Sequence, residues 1–286
     1  MRGVAESTFS FINKNFRIAM HYRQLFKSAW LILRGRPLMW AFGALVVIGE
    51  LLQSFNPQYV LLKCLFLLAA LVWLLGEAGL IAGAHTLQAN PQASLAGSWG
   101  QSKTHFTRLF AVYLLTGILA ISLVGLAAKV FAAPGESAWA SSLRSLGLDF
   151  ILLLLVTLAQ FAFRAVVIHR LDSLASLGHA VLVVSNNLFR ILSLTAVFGL
   201  LHLLFTGLPV LLWLAIRSGV SLQELLPLAV RAYAPLSSLP AIQALTLAAS
   251  LFLAPYKSIV FTLAYLHFTQ QVAYPPLDAD SGTPTL

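Results

Sequence analysis

The sequence predicts an all-α fold: a polytopic bundle of about six transmembrane helices with interfacial amphipathic helices between them. Three observations point to it. Of the 286 residues, 59% are hydrophobic and only 9% charged, where a soluble domain carries about 25% charge. The mean hydropathy of +0.86 reflects a charge deficit spread along most of the chain. Finally, apolar stretches of about 20 residues recur with basic residues at their edges. A water-soluble chain of this length has no means of hiding that much apolar surface.

Residues 1–36 read as a cytoplasmic N-terminal segment. Phe9, Ile12, Phe16, Met20, Trp30 and Leu33 recur at three- to four-residue steps against a face with Arg17, Arg23 and Lys27. That pattern describes a basic helix lying in the headgroup layer. Lys14, Arg17, Arg23 and Lys27 leave no uninterrupted apolar core for a cleavable signal peptide, so the first span is expected to be an uncleaved anchor.

Residues 37–268 form the six-span domain, with spans at roughly 37–56, 59–88, 106–132, 147–169, 190–216 and 240–268. Pro255 is expected to kink the sixth span and Pro209, more mildly, the fifth. A second amphipathic stretch, around Ala93 to Lys103, is weakened by Gly97 and Gly100. A third begins at Asp172, a good N-cap, and sets Leu174, Leu177, Val181, Val184 and Leu188 on one side. The tail 269–286, with Pro275, Pro276, Asp278, Asp280 and Pro284, reads as disordered and cytoplasmic.

These segments suggest three tandem units, each an interfacial helix followed by a transmembrane hairpin. An arginine marks each membrane edge: Arg34 and Arg36 before Pro37, Arg108 before Leu109, and Arg190 before Ile191. With the N-terminus inside, twelve basic residues from Arg2 to Arg190 collect on the cytoplasmic side. Five oppose them: Lys63, Lys129, Arg144, Arg217 and Arg231. That bias places both termini in the cytoplasm and fits a bacterial inner membrane. The expected partners are anionic lipid headgroups, with other membrane proteins or a second copy of the chain; the +9 charge is not read as nucleic-acid binding.

The entry Ser28-Ala29-Trp30 with Arg34 to Leu38, the stretch Leu171-Asp172-Ser173-Leu174 followed by Ala180 and Ser185 to Arg190, and the ending Phe261-Thr262-Leu263-Ala264-Tyr265 carry a resemblance. The chain resembles the membrane domain associated with bacterial glycerophosphodiester phosphodiesterases, and related stand-alone inner-membrane proteins of the YciC type. The resemblance covers most of the chain and implies a fold. It transfers no activity, because the phosphodiesterase is a separate soluble domain.

The sequence contains no H-E-x-x-H, G-x-S-x-G or P-loop pattern. The nine carboxylates are scattered, and a lone Cys64 offers neither a disulfide nor a thiolate cluster. No catalytic residue and no cofactor is expected. Ionisable residues inside the spans are the informative ones, since a charge at the bilayer centre costs about 2.5–3.5 kcal/mol and calls for a partner or a function. Glu50 and Lys63, at matched depth in the first hairpin, are a candidate structural ion pair. Glu77, beside Gly76, Gly79 and Gly83, and Lys257, just after Pro255, are a candidate intramembrane polar site. The plain alternative is a buried pair that specifies helix packing. Arg164, with Gln160, is expected to snorkel to the cytoplasmic surface. His85, His169 and His267 each end an even-numbered span, and a threefold arrangement would bring them into a three-nitrogen site; plain interfacial histidines are the other reading.

The leading functional expectation is a structural, accessory or envelope-organising membrane protein. The alternatives are a small-molecule or lipid transporter using Glu77 and Lys257, and a membrane enzyme acting at the headgroup layer. A transporter calls for a polar cavity reaching Glu77 or Lys257, and a scaffold for a tightly filled bundle with exposed apolar surface.

Overall fold

The computed structural model describes residues 22–54, 60–131, 138–218 and 240–270, and every element among them is a helix. In chain order these are α1 (Tyr22–Leu33), α2 (Pro37–Ser54), α3 (Val60–Ala89), α4 (Ala96–Phe131), α5 (Ala138–His169), α6 (Ser173–Asn186), α7 (Leu188–Ser218) and α8 (Pro240–Thr269). Five helices, α3, α4, α5, α7 and α8, are each long and apolar enough to cross a membrane, and α1 with α2 makes a sixth if that bent pair counts as one span. Helix is the expected outcome, since in lipid each backbone N–H and C=O must be satisfied within the segment. The expected residues Phe9 to Met20 and the tail beyond 270 lie outside the described residues, as do the side chains of Glu50, Lys63 and Pro209.

α1 meets α2 at a bend of 102°. Gly35, at φ +75°, supplies the left-handed residue that this turn requires. Ala29 and Leu33 are fully buried, whereas Trp30 and Leu31 are exposed on the flank. Two long-range hydrogen bonds hold α1 down: Tyr22 Oη donates to the Arg190 carbonyl at 2.9 Å, and Tyr256 Oη donates to the Phe26 carbonyl at 3.0 Å. The second amphipathic stretch differs from its expectation. α4 runs unbroken from Ala96 to Phe131, so Gly97 and Gly100 sit inside one helix with the span instead of in a separate one.

α6 begins as expected, with the Asp172 carboxylate accepting from the Ala175 N–H. Its apolar residues divide between the two sides: Leu174, Val181 and Leu182 are exposed, while Val183 and Val184 are buried with Ser176, His179 and Ala180. Small residues Ser176 and Ala180 on the inner face suit the close packing of α6 on α5.

α3, α5 and α8 contact one another and form the centre; α2 and α4 pack on α3, and α7 packs on α8. Glycines set the tightest seam. A Cβ on Gly76 would lie 2.7 Å from the Phe42 carbonyl oxygen, one on Gly79 would strike the Phe42 ring, and one on Gly83 would lie 2.6 Å from Met39 Sδ. The helix that the Gly79–Gly83 spacing admits is therefore α2. At Gly43 of α2, the Pro255 ring of α8 fills the space that a side chain would need.

Candidate polar site in the apolar core

The three central helices each contribute one polar residue to a single cluster: Glu77 from α3, Arg164 from α5 and Ser258 from α8. The chain around Arg164 explains its direction. Residues 161–167 are all buried, so at this level α5 is surrounded on every side and offers its guanidinium no lipid or headgroup to reach. Arg164 is 0% exposed and turns inward.

Arg164 Nη2 lies 3.3 Å from Glu77 Oε1 and donates to the Ser258 carbonyl at 3.0 Å. Nη1 donates to the Gln160 carbonyl at 2.6 Å. Ser258 Oγ donates to the same Glu77 oxygen at 2.9 Å. The guanidinium carbon also sits 5.7 Å from the Phe261 ring centroid, a cation–π distance. Only Nε has no hydrogen-bond partner among the described residues. In this setting the arginine keeps its proton, and the carboxylate balances the charge. Buried charges on this scale persist only when paired and bonded, as here.

The expectation that Arg164 snorkels is thus corrected, and Glu77 takes Arg164 as its partner. Lys257, expected opposite Glu77, borders a cavity of about 390 Å3 between α5, α7 and α8, together with Thr195, His202 and Ser250 and the apolar Leu153, Phe198 and Leu253. Adjacent helix positions point about 100° apart, so Ser258 faces the central cluster while Lys257 faces this cavity. The sequence reading missed Arg164 and Ser258. The available signal was the mixture of small and aromatic residues around Arg164 on α5, typical of an enclosed helix and not of a lipid-facing edge.

The histidines separate. His169 stacks edge-on to His179 of α6 at 5.5 Å, and both rings lie against Tyr265 of α8 at 5.7 and 5.8 Å. His85 is close enough to His169 to interact with it electrostatically. His267 instead lines a groove with Gln24, Ser28 and Gln88. On α8 the residue facing inward is Tyr265, and two residues further on the helix has turned by about 200°. Among the described residues no group of three His, Cys, Asp or Glu side chains is placed to hold a metal, so the convergence that a threefold arrangement of His85, His169 and His267 would give does not form. In α6, burial first and then the neighbouring His169 push the His179 imidazole down to about 4.

Fold and site together define a helical bundle of membrane type, with an enclosed ion pair at its centre and apolar side chains over much of its outer surface. Comparison with known families, characterised proteins and solved structures finds no match to this chain.

Proposed function

We propose that this chain is a non-enzymatic integral membrane protein of the structural, accessory or envelope-organising kind. It has six spans in three tandem hairpins and both termini on the cytoplasmic side of a bacterial inner membrane. The observation that carries the reading is the closure of the Glu77–Arg164 pair, with Glu77 at 7% and Arg164 at 0% exposure. Charges that bind a substrate or move a proton need a path to it; charges walled in by packed helices fix which helices meet. Exposed apolar faces support the same reading. Only 17% of the apolar window is buried in α4 and in α7, which leaves broad surfaces for lipid or for neighbouring membrane proteins. The 102° turn between α1 and α2, and the break at Asn187 between α6 and α7, suit interfacial helices entering spans in the first and third units. The resemblance to the membrane domain of glycerophosphodiester phosphodiesterases supports such a fold and is proposed on that basis alone.

A second reading, lipid or small-molecule handling, is favoured by the cavity beside Lys257. A charge-free core separates the two. Glu77→Leu with Arg164→Met replaces the pair by apolar side chains, a change that often leaves stability intact. Introduced in place of the native gene, a folded double variant is expected to preserve resistance to envelope stress. Loss of that resistance despite normal folding and abundance would show that the charges act beyond packing.

A further inference from the structure

The cavity bordered by α5, α7 and α8 runs along the bundle. Its lining extends from Thr195 to His202 on α7 and from Ser250 to Lys257 on α8, about 10 Å along either helix. Phe198 meets both Tyr256 and Phe261, which sets the start of α7 beside the end of α8. Thr195 and Ser250 therefore stand at opposite ends of the cavity. Thr195, about 11 Å from the start of α7, is at the end nearer the membrane edge. The cavity opens on the flank of the bundle, since its lining residues Leu153, Gly199 and His202 are exposed. Around it the outward side of α7 is apolar, with Leu200, Leu203 and Leu204 exposed. A ligand thus enters sideways from lipid and must carry hydrocarbon.

The head that fits carries no charge. Lys257 and His202 already interact with other groups, so the wall offers an incoming ion no spare counter-charge to offset its loss of water. Thr195 Oγ1 spends its proton on the Ile191 carbonyl at 2.9 Å and presents an acceptor, which asks the ligand for a donor. At the other end the Ser250 hydroxyl can donate. Two hydrogen bonds of about 2.8 Å, set against the cavity's length of about 10 Å, leave about 5 Å between the ligand's own polar atoms. A single hydroxyl does not span that gap. The order required is a free hydroxyl near the membrane edge, a carbonyl oxygen a few bonds deeper, and then hydrocarbon. An acylglycerol has that order. A volume of about 390 Å3 holds the glycerol and the first part of one chain, with Leu153, Phe198 and Leu253 against the methylenes. We infer that the α5–α7–α8 cavity binds a neutral acylglycerol from the bilayer, with its free hydroxyl on Thr195 and an ester carbonyl on Ser250. The site rests on the lipid-handling reading and asks nothing of the Glu77–Arg164 pair, so it stands or falls separately from the organising role proposed above.

The test uses the full chain in phosphatidylcholine vesicles, with diacylglycerol, its O-methyl ether and phosphatidate as probes, each spin-labelled on an acyl chain. The ether keeps both esters and lacks only the donor proton. The wild type is expected to immobilise diacylglycerol about tenfold in preference to the ether, the effect of one hydrogen bond made away from water. Thr195→Val keeps the shape of the side chain and removes the acceptor, so it should abolish that preference, and Thr195→Ser should retain it. Ser250→Ala should weaken diacylglycerol and ether alike, since both carry the carbonyl. Gly199→Leu fills the cavity from a position where a Cβ meets nothing within 4 Å, and should release both probes without disturbing packing. Equal retention of diacylglycerol and ether by the wild type, or a preference that survives Thr195→Val or Gly199→Leu, overturns the inference. Phosphatidate held more tightly than diacylglycerol overturns it as well.

Discussion

Removing the Arg164 guanidinium leaves the Glu77 carboxylate enclosed among packed helices with only the Ser258 hydroxyl donating to it among the described contacts. Arg164→Ala is therefore expected to destabilise the bundle by about 3–5 kcal/mol, measured as a loss of thermal stability in detergent. Combining it with Glu77→Ala should recover part of that loss, and purely additive damage would mean that the two charges are not coupled. His179 gives a second prediction. Its unfolded imidazole titrates near 6.5, and in the folded chain it stays neutral down to about 4. Its contribution to stability is thus complete above about pH 6.5 and is lost as the pH falls towards about 4. Unfolding temperature should decline across that window, and His179→Gln should flatten the decline; an unchanged slope would contradict the assignment. The sequence showed that Glu77 needed a partner but not which one. Arg164 and Lys257 are both cations within reach by depth, and the choice depends on helix rotation, which becomes visible only once residues 161–167 are seen to be buried on all sides.

Helices α2 and α3 meet where neither has a side chain to spare. A methyl group on Gly76 would press on the Phe42 carbonyl and, at 2.9 Å, on the Val46 nitrogen, and backbone atoms cannot rotate away. Gly76→Ala is expected to cost about 1–3 kcal/mol. Gly117→Ala in α4, where a Cβ meets nothing within 4 Å, should be neutral or gain up to about 1 kcal/mol through helix propensity. Equal losses from the two changes, read in the same melting assay, would mean that the seam is looser than it looks. Helix positions were legible from apolar run length: the expected spans 147–169 and 240–268 end within one residue of where α5 and α8 end. Helix joints were less so. The second amphipathic stretch, weakened by Gly97 and Gly100, was expected as a helix separate from the span, yet it runs into the span as α4, because glycine lowers helix propensity without forbidding the helix when neighbouring turns hold it. On α6 the apolar pattern was found, but it did not say which of its residues face the protein: Val184 is buried while Leu174 and Val181 are exposed. Pattern reading assumes that apolar side chains face the protein, whereas in a membrane they also face lipid, and Leu174 and Val181 do face outward.

At the level of the whole molecule, the proposed topology, six spans with the charge bias inside, has both ends of the chain on the cytoplasmic side. A cytoplasmic reporter fused after Leu286 should be active and a periplasmic one silent; the reverse would imply five spans, with α1 and α2 not crossing together. The central ion pair also has a history in time. Glu77 and Arg164 are 87 positions apart in the chain, and Ser258 follows Glu77 by 181. At a synthesis rate of about 5–20 residues per second, Glu77 leaves the ribosome about 4–17 seconds before Arg164 does. During that interval α3 must enter the membrane with its carboxyl group protonated, stay beside the insertion machinery, or wait near the headgroups. Chains stopped short of α5 are then expected to be recognised as unfinished and degraded, and their half-life should lengthen when Glu77 is replaced by leucine.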